Sequence, residues 1–257
     1  MDARPEITVV ADPAAIADEA AQHILDAATA AIVERGRFMI ALAGGATPRA
    51  TYQRLALPPF ADRMPWDRTW VFFGDERAVG PEHPESNYRM AFDALLSKVP
   101  LPPGQVLRIR GEAEDPEVAA SDYARQMAEV FGTRRGEVPR FDVILLGLGV
   151  DGHTASLFPG SPALKEIFRT VAAVHAAAAA LPTRLTLTFP VITAAAEVVF
   201  LVYGAEKAKV VKAVLVDGAM LPAAMARPAD GRLRWILDRA AASLLPVDPP
   251  PSRTRPG

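Results

Sequence analysis

Short apolar runs, each closed by a glycine or a polar turn, alternate with segments of helical spacing along this 257-residue chain. The runs Ile7–Val10, Arg37–Ala43, Thr69–Gly74, Val106–Ile109, Phe141–Leu146, Arg184–Thr188, Val198–Tyr203 and Leu233–Leu237 read as strands. Helices are predicted over Pro13–Arg35, Pro48–Leu57, Asn87–Val99, Pro116–Phe131, Glu206–Val216 and Asp238–Leu245. In the first of these, Ile16, Ala20, Ile24, Ala27 and Ala31 fall on one face, and Gly36 supplies a stop. Strands alternating with helices predict an α/β fold: a mostly parallel sheet with helices on both faces. Ligands of such sheets bind beyond the carboxyl ends of the strands, so the loops that follow strands are the ones to search.

Of the 24 prolines, 11 cluster at Leu57–Pro65, Pro100–Pro103 and Pro246–Pro256, all connections or ends, which leaves the predicted strand and helix interiors largely free of them. Residues 1–245 therefore read as one α/β domain and 246–257 as a loose Pro-rich tail. With 28 basic and 30 acidic residues the net charge is −2, which argues against nucleic acid as a partner. The absence of Cys excludes thiol nucleophiles, thiolate metal sites and disulfides. No apolar signal region opens the chain, and Pro190 and Glu197 interrupt its most membrane-like stretch, Leu185–Tyr203. A cytoplasmic protein with no membrane partner is expected.

Three strand-following segments carry chemistry. In Leu42–Pro48 (LAGGATP) two glycines permit a tight turn, with Thr47 expected as N-cap and Pro48 as the first helical residue. The backbone N–H groups of Gly44, Gly45, Ala46 and Thr47 at a helix start suit an anion, although a plain strand-to-helix turn explains this segment equally well. In the second, Asp75, Glu76 and Arg77 follow directly on a strand and open a polar loop running to Glu85, with His83 within it and Ser86 or Asn87 able to cap the next helix. The third, Gly147–His153 (GLGVDGH), formally matches a dinucleotide fingerprint. Asp151 would repel a pyrophosphate there, and Pro159-Gly160 truncate the helix that should cradle it. What remains is a flexible turn able to aim Asp151 and His153 into one crevice, and an imidazole titrating near ~6.5 suits general-base work. Arg184 and Lys207 add cations late in the chain, and a lysine at a helix start wants an anion nearby. No metal-ligand motif is present, so no metal is expected.

Together, AGGATPRATYQRL (Ala43–Leu55), FFGDERAVGPEHPESNY (Phe72–Tyr88), FDVILLGLGVDGHTASLFPG (Phe141–Gly160), PTRLTLT (Pro182–Thr188), VYGAEKA (Val202–Ala208) and LRWILDRAAA (Leu233–Ala242) resemble the 6-phosphogluconolactonase family. The resemblance implies a single-domain, modified Rossmann-type fold shared with glucosamine-6-phosphate deaminases, and hydrolysis of a sugar-phosphate lactone without cofactor or metal. It implies His153 as general base, Asp151 as its orienting partner, and Arg77, beside Asp75, as a binder of substrate or oxyanion. The loop Gly44–Thr47, Arg184 and Lys207 would hold the 6-phosphate. Ala43 and Ala46 stand where the family commonly has Ser, leaving hydroxyl contacts to Thr47 or their replacement to backbone N–H. A deaminase or isomerase of the same superfamily would carry Glu five residues after the motif histidine, where this chain has Phe158. A non-catalytic sugar-phosphate sensor would show a degraded set, whereas Asp75, Arg77, Asp151 and His153 are all retained. A monomer or weak homodimer is expected.

Overall fold

The computed structural model describes residues 4–134, 136–176 and 181–246. Of the predicted tail 246–257, all but Pro246 lies outside the described residues. Six strands form the main sheet: β1 (Glu6–Val10), β2 (Phe38–Leu42), β3 (Thr69–Phe73), β5 (Val143–Leu146), β8 (Glu197–Val202) and β9 (Arg232–Asp238). Their order is β1-β9-β8-β5-β2-β3, and every pairing is parallel. Every residue of β2, β5 and β8 is buried. Because side chains alternate between faces along a strand, the centre of the sheet is covered on both sides.

Two long helices have the predicted bounds, and their ends show why. α1 (Pro13–Arg35) starts with the Asp12 carboxylate accepting from the Ala15 N–H at 2.9 Å and ends at Gly36, φ +73°. α5 (Pro116–Phe131) likewise has Asp115 as cap and Gly132 as stop. Between them lie α2 (Ala46–Leu55), short α3 (Phe60–Arg63) and α4 (Asn87–Ala91), which widens into a π-helical turn over Phe92–Leu96. Downstream come α6 (Phe189–Ala194), α7 (Ala208–Leu215) and short α8 (Pro222–Met225).

Several expectations need correction. α2 begins at Ala46, so Thr47 and Pro48 lie inside it and Gly45, at φ +105°, is the residue before the first turn. A glycine tolerates that backbone, and it lets the helix start two residues early. The predicted strand Val106–Ile109 reduces to a single bridge from Val106 to Val71 at the sheet edge. The predicted helix Asp238–Leu245 is a series of turns after β9. Asp75–Arg77 is not loop but strand β4, which joins β7 (Thr183–Leu187) and β6 (Val171–His175) in a second, antiparallel sheet. Gly74 is the junction: its N–H donates to Leu42 O at 2.8 Å in one sheet, and its carbonyl accepts from Leu187 N at 2.8 Å in the other. Both sheets contribute to one continuous apolar cluster, with Leu185 and Leu187 fully buried beside Phe72, Phe141 and Ile144.

Two buried tyrosines finish the strands that lead to the cleft. The Tyr52 hydroxyl accepts from Ala43 N (2.9 Å) and donates to Ala43 O (2.8 Å). The Tyr123 hydroxyl does the same at Phe73, at 2.8 and 3.1 Å. Burial holds both phenols well above their ordinary range, so they stay neutral donors. Tyr52→Phe should leave two buried backbone groups of Ala43 unpaired and lower stability by about 1–3 kcal/mol. A drop in the urea midpoint at unchanged slope would show it; an unchanged midpoint would contradict the role.

Candidate active site

The chain leaves β2 toward β3 on one side, while β5, β8 and β9 lie on the other. This flavodoxin-like order places a topological switch point between β2 and β5, where a crevice opens at the carboxyl ends. A cleft of about 370 Å³ lies there, lined by Gly44–Thr47 after β2, Asp75 and Arg77 on β4, Gly147–Gly149 and His153 after β5, Arg184 on β7 and Lys207 before α7. Every predicted site residue except Asp151 thus lines one cleft, and Asp151 reaches it through His153. The volume suits a small metabolite.

His153 and Asp151 form a tight pair. The carboxylate oxygen Oδ1 lies 2.6 Å from His153 Nδ1 and accepts from the His153 backbone N–H at 3.1 Å. Burial alone would raise the Asp151 carboxyl, but these hydrogen bonds and the imidazole charge outweigh it and hold the group below its ordinary value. An ionised Asp151 keeps the proton on Nδ1 and leaves Nε2 with its lone pair. The turn is shaped for this pair. A side chain on Gly149 would run into the His153 ring and the Asp151 carboxylate. Gly152, at φ +83°, presses against Leu221, and its carbonyl accepts from Ala223 N at 3.0 Å.

Arg77 and Arg184 sit directly opposite each other in the β4–β7 pair. The Nε of each is buried without a hydrogen-bond partner. Burial first, then the Arg77 charge, pull Arg184 below its ordinary value, against opposing contributions from Asp75, Glu85 and Glu76. Two half-buried guanidinium groups side by side, each with an orphan Nε donor, have the chemistry to receive an anion. The first residues of α2, whose N–H groups have no partner within the helix, and Lys207 line the same cleft. Lys207 occupies the 3-10 turn that leads into α7, so it meets the positive end of that helix as well.

Asn87, which sequence reasoning does not single out as a site residue, organises this cluster. Its Oδ1 accepts from Arg77 Nη1, and its Nδ2 donates to Asp75 O (2.9 Å) and Asp75 Oδ1 (3.1 Å). The side chain lies over Gly44, where a Cβ would occupy the same space. Asp75 Oδ2 accepts from the buried Ser156 hydroxyl at 2.7 Å. Glu76 points the other way: its carboxylate accepts from Arg77 N, Asn87 N, Tyr88 N and Ser86 Oγ at 2.7–2.9 Å. Burial pushes the Glu76 carboxyl above its ordinary value, against these four bonds. Ser86 caps α4, accepting from Arg89 N at 3.2 Å, whereas His83 is exposed and accepts from Glu85 N outside the cleft. The legible signal for Asn87 is its position ten residues after Arg77, at a helix start that a charged strand end must meet.

The turn after His153 is strained. Ala155 has φ +47°, the one non-glycine with positive φ among the described residues, a conformation costing about 1–2 kcal/mol. Thr154 and Leu157 bridge across it, and Thr154 Oγ1 donates to Gly147 O at 2.9 Å. Among the described residues no group of three or more His, Cys, Asp or Glu is placed to hold a metal ion. Likewise, no helix among them is long and apolar enough to cross a membrane.

Residues 11–235 match the family described as "Glucosamine-6-phosphate isomerases/6-phosphogluconolactonase". The chain is 38% identical over 244 residues to a 6-phosphogluconolactonase of Nostoc sp. (strain PCC 7120 / SAG 25.82 / UTEX 2576), covering 94% of this chain and 98% of that one. With the 6-phosphogluconolactonase of Rattus norvegicus it shares 41% identity over 244 residues, 94% of each chain. Its fold matches a solved 6-phosphogluconolactonase from Trypanosoma cruzi with a TM-score of 0.86 at 32% identity, covering 95% of this chain and 98% of that one.

Gly149→Ala tests the geometry of the pair. The atoms that a methyl group would meet belong to side-chain ends, so the fold should survive while His153 and Asp151 separate. In imidazole ¹H–¹⁵N spectra the hydrogen-bonded Nδ1 signature should vanish while the unfolding midpoint stays within about 1 kcal/mol of the parent. Retention of that signature would contradict the crowding.

Proposed function

This chain belongs to the glucosamine-6-phosphate isomerase/6-phosphogluconolactonase family, and we propose that it hydrolyses 6-phospho-D-glucono-1,5-lactone to 6-phospho-D-gluconate in the oxidative pentose phosphate pathway. The observation that carries this reading is an oriented Asp151–His153 pair sharing one cleft with two guanidinium groups whose buried Nε atoms lack partners. A base and an anion site in one small cavity are what hydrolysis of a phosphorylated lactone requires.

In this reading His153 Nε2 takes a proton from water as the oxygen attacks the C1 carbonyl. The carbonyl π pair moves onto oxygen, and the negative charge faces the Arg77 side of the cleft. Collapse of the tetrahedral intermediate re-forms the carbonyl and breaks the C1–O5 bond. The imidazolium returns its proton to the departing ring oxygen, which becomes the C5 hydroxyl. Asp151 holds the tautomer throughout. Arg184, Lys207 and the N–H groups of Gly44–Thr47 hold the phosphate, and Asp75 acts through Asn87 to keep Arg77 in place. No step calls on a cofactor or metal. In this reading residues 1–245 act as one domain, the protein works in the cytoplasm as a monomer or weak homodimer, and the cleft, lined by one chain, needs no second copy to be complete.

Deamination or isomerisation in the same cleft is the competing chemistry. Phe158 speaks against it, because an aromatic ring cannot relay the protons that sugar ring-opening needs. Acid release from the lactone, read above its spontaneous hydrolysis, should be fast, with no ammonia from glucosamine 6-phosphate; the reverse pattern would sink the reading. His153→Ala should lower kcat by about 10²–10⁴. Arg184→Ala and Lys207→Ala should chiefly raise KM, and a selective loss of kcat in them would contradict phosphate anchoring.

A further inference from the structure

Phe158 lies five residues beyond His153 and does not line the cleft, yet it touches two of the groups that do. Its ring centroid is 4.5 Å from that of the His153 imidazole, with 39° between the planes. The Arg184 guanidinium carbon lies 5.8 Å from the centroid of the same ring. One benzyl group is thus shared by the proposed base and one of the proposed phosphate ligands. Its placement is over-determined: Ala155 is held in the left-handed region, Ser156 is tied to Asp75, and Leu157 is fully buried.

We propose that Phe158 is a positioning residue for the base, clamping the His153 imidazole and presenting a π face to the imidazolium that forms in turnover. The inference rests on His153 acting as general base. An imidazolium in this cleft meets Asp151 through Nδ1 and shares the Phe158 ring with Arg184, with Arg77 opposite Arg184 in the strand pair and Asp75, Glu206 and Lys207 in the same walls. Arg184 is thus the cation that shares a ring contact with the imidazole. A carboxylate at position 158 would pair with Arg184 or His153 and neutralise one of them. An aromatic ring instead offers partial negative charge on its face and keeps both cationic charges available. An aliphatic side chain of similar size would fill the space without that face.

The test compares Phe158→Leu and Phe158→Tyr with the parent and with His153→Ala, using lactone hydrolysis above background across pH. Loss of a cation–π contact of this kind corresponds to about a threefold to tenfold fall in kcat. Phe158→Leu should show that fall with KM within about twofold. The acidic limb of kcat/KM should move to lower pH, because an imidazolium without the ring face gives up its proton more readily. Phe158→Tyr, which keeps the face, should restore both. A fall in kcat with an unmoved acidic limb would assign Phe158 a packing role only and overturn the proposal. A rise in KM at constant kcat would make it a substrate contact and would overturn the proposal equally. If Leu prevents folding, Phe158→Met supplies the aliphatic comparison. His153→Ala retaining full activity would overturn the general-base reading itself. Inactive His153→Ala beside fully active Phe158→Leu would overturn only the role of Phe158.

Discussion

Between β2 and β5 the chain changes its winding direction, and that reversal is what separates the loops enough to leave a cleft. In a parallel sheet all strands end on the same side, so the segments after β2, β3, β5 and β8 are delivered to one edge whatever their sequences. The short strand β4 then crosses that edge and pairs with β7, importing Arg77 and Arg184 from a second sheet. Neither sheet alone contains the site. Gly74, hydrogen-bonded into both, ties the relative position of the two arrays to a single residue.

The electrostatic arrangement of this wall is costly. Arg77 and Arg184 repel each other, and their Nε donors have been taken from water without replacement. What holds them is a polar scaffold away from the proposed reacting centre: Asn87 on Arg77, Asp75 on Asn87, and Ser156 on Asp75. That chain of contacts ends one residue from the strained Ala155. The same turn places Phe158, so the cationic wall and the base share one support. Such strain persists only where neighbouring contacts over-determine it.

Much of the fold is legible in the sequence because its signals are local. Asp12, Pro13 and Gly36 bound α1, Asp115, Pro116 and Gly132 bound α5, and the runs of β2, β5 and β8 are largely apolar. The second sheet is legible only in part: Arg184–Thr188 reads as a strand and is β7 shifted by one residue, but its two partners are not. Asp75–Arg77 has the composition of a solvated loop and becomes a strand only by pairing with β7, far along the chain. β6 sits in the Ala-rich stretch VAAVH, which lacks the alternation of a half-buried strand. Conversely, turns and not a helix follow Leu237, although Asp238 accepts from Ala241 N as a helix cap would; the same carboxylate oxygen also accepts from Gly204 N, a distant contact. The residues of the cleft can be named from their types and positions after strands. Their partnerships cannot, since Asn87, Ser156 and Glu76 act through contacts fixed only by the tertiary structure.

Glu76 has one more implication. By accepting from residues at both ends of the segment 78–85, it joins those ends independently of what lies between them. The segment is a closed ring hung from the wall of the cleft, and changes of length within it add only a slowly growing entropy, about 0.6 kcal/mol for each doubling. Mechanical slack in the ring stops at the carboxylate and does not reach Arg77 or Asn87. Short of Glu85, whose charge bears on Arg184, the protein thus has a place where new surface can be grafted, by natural drift or by design.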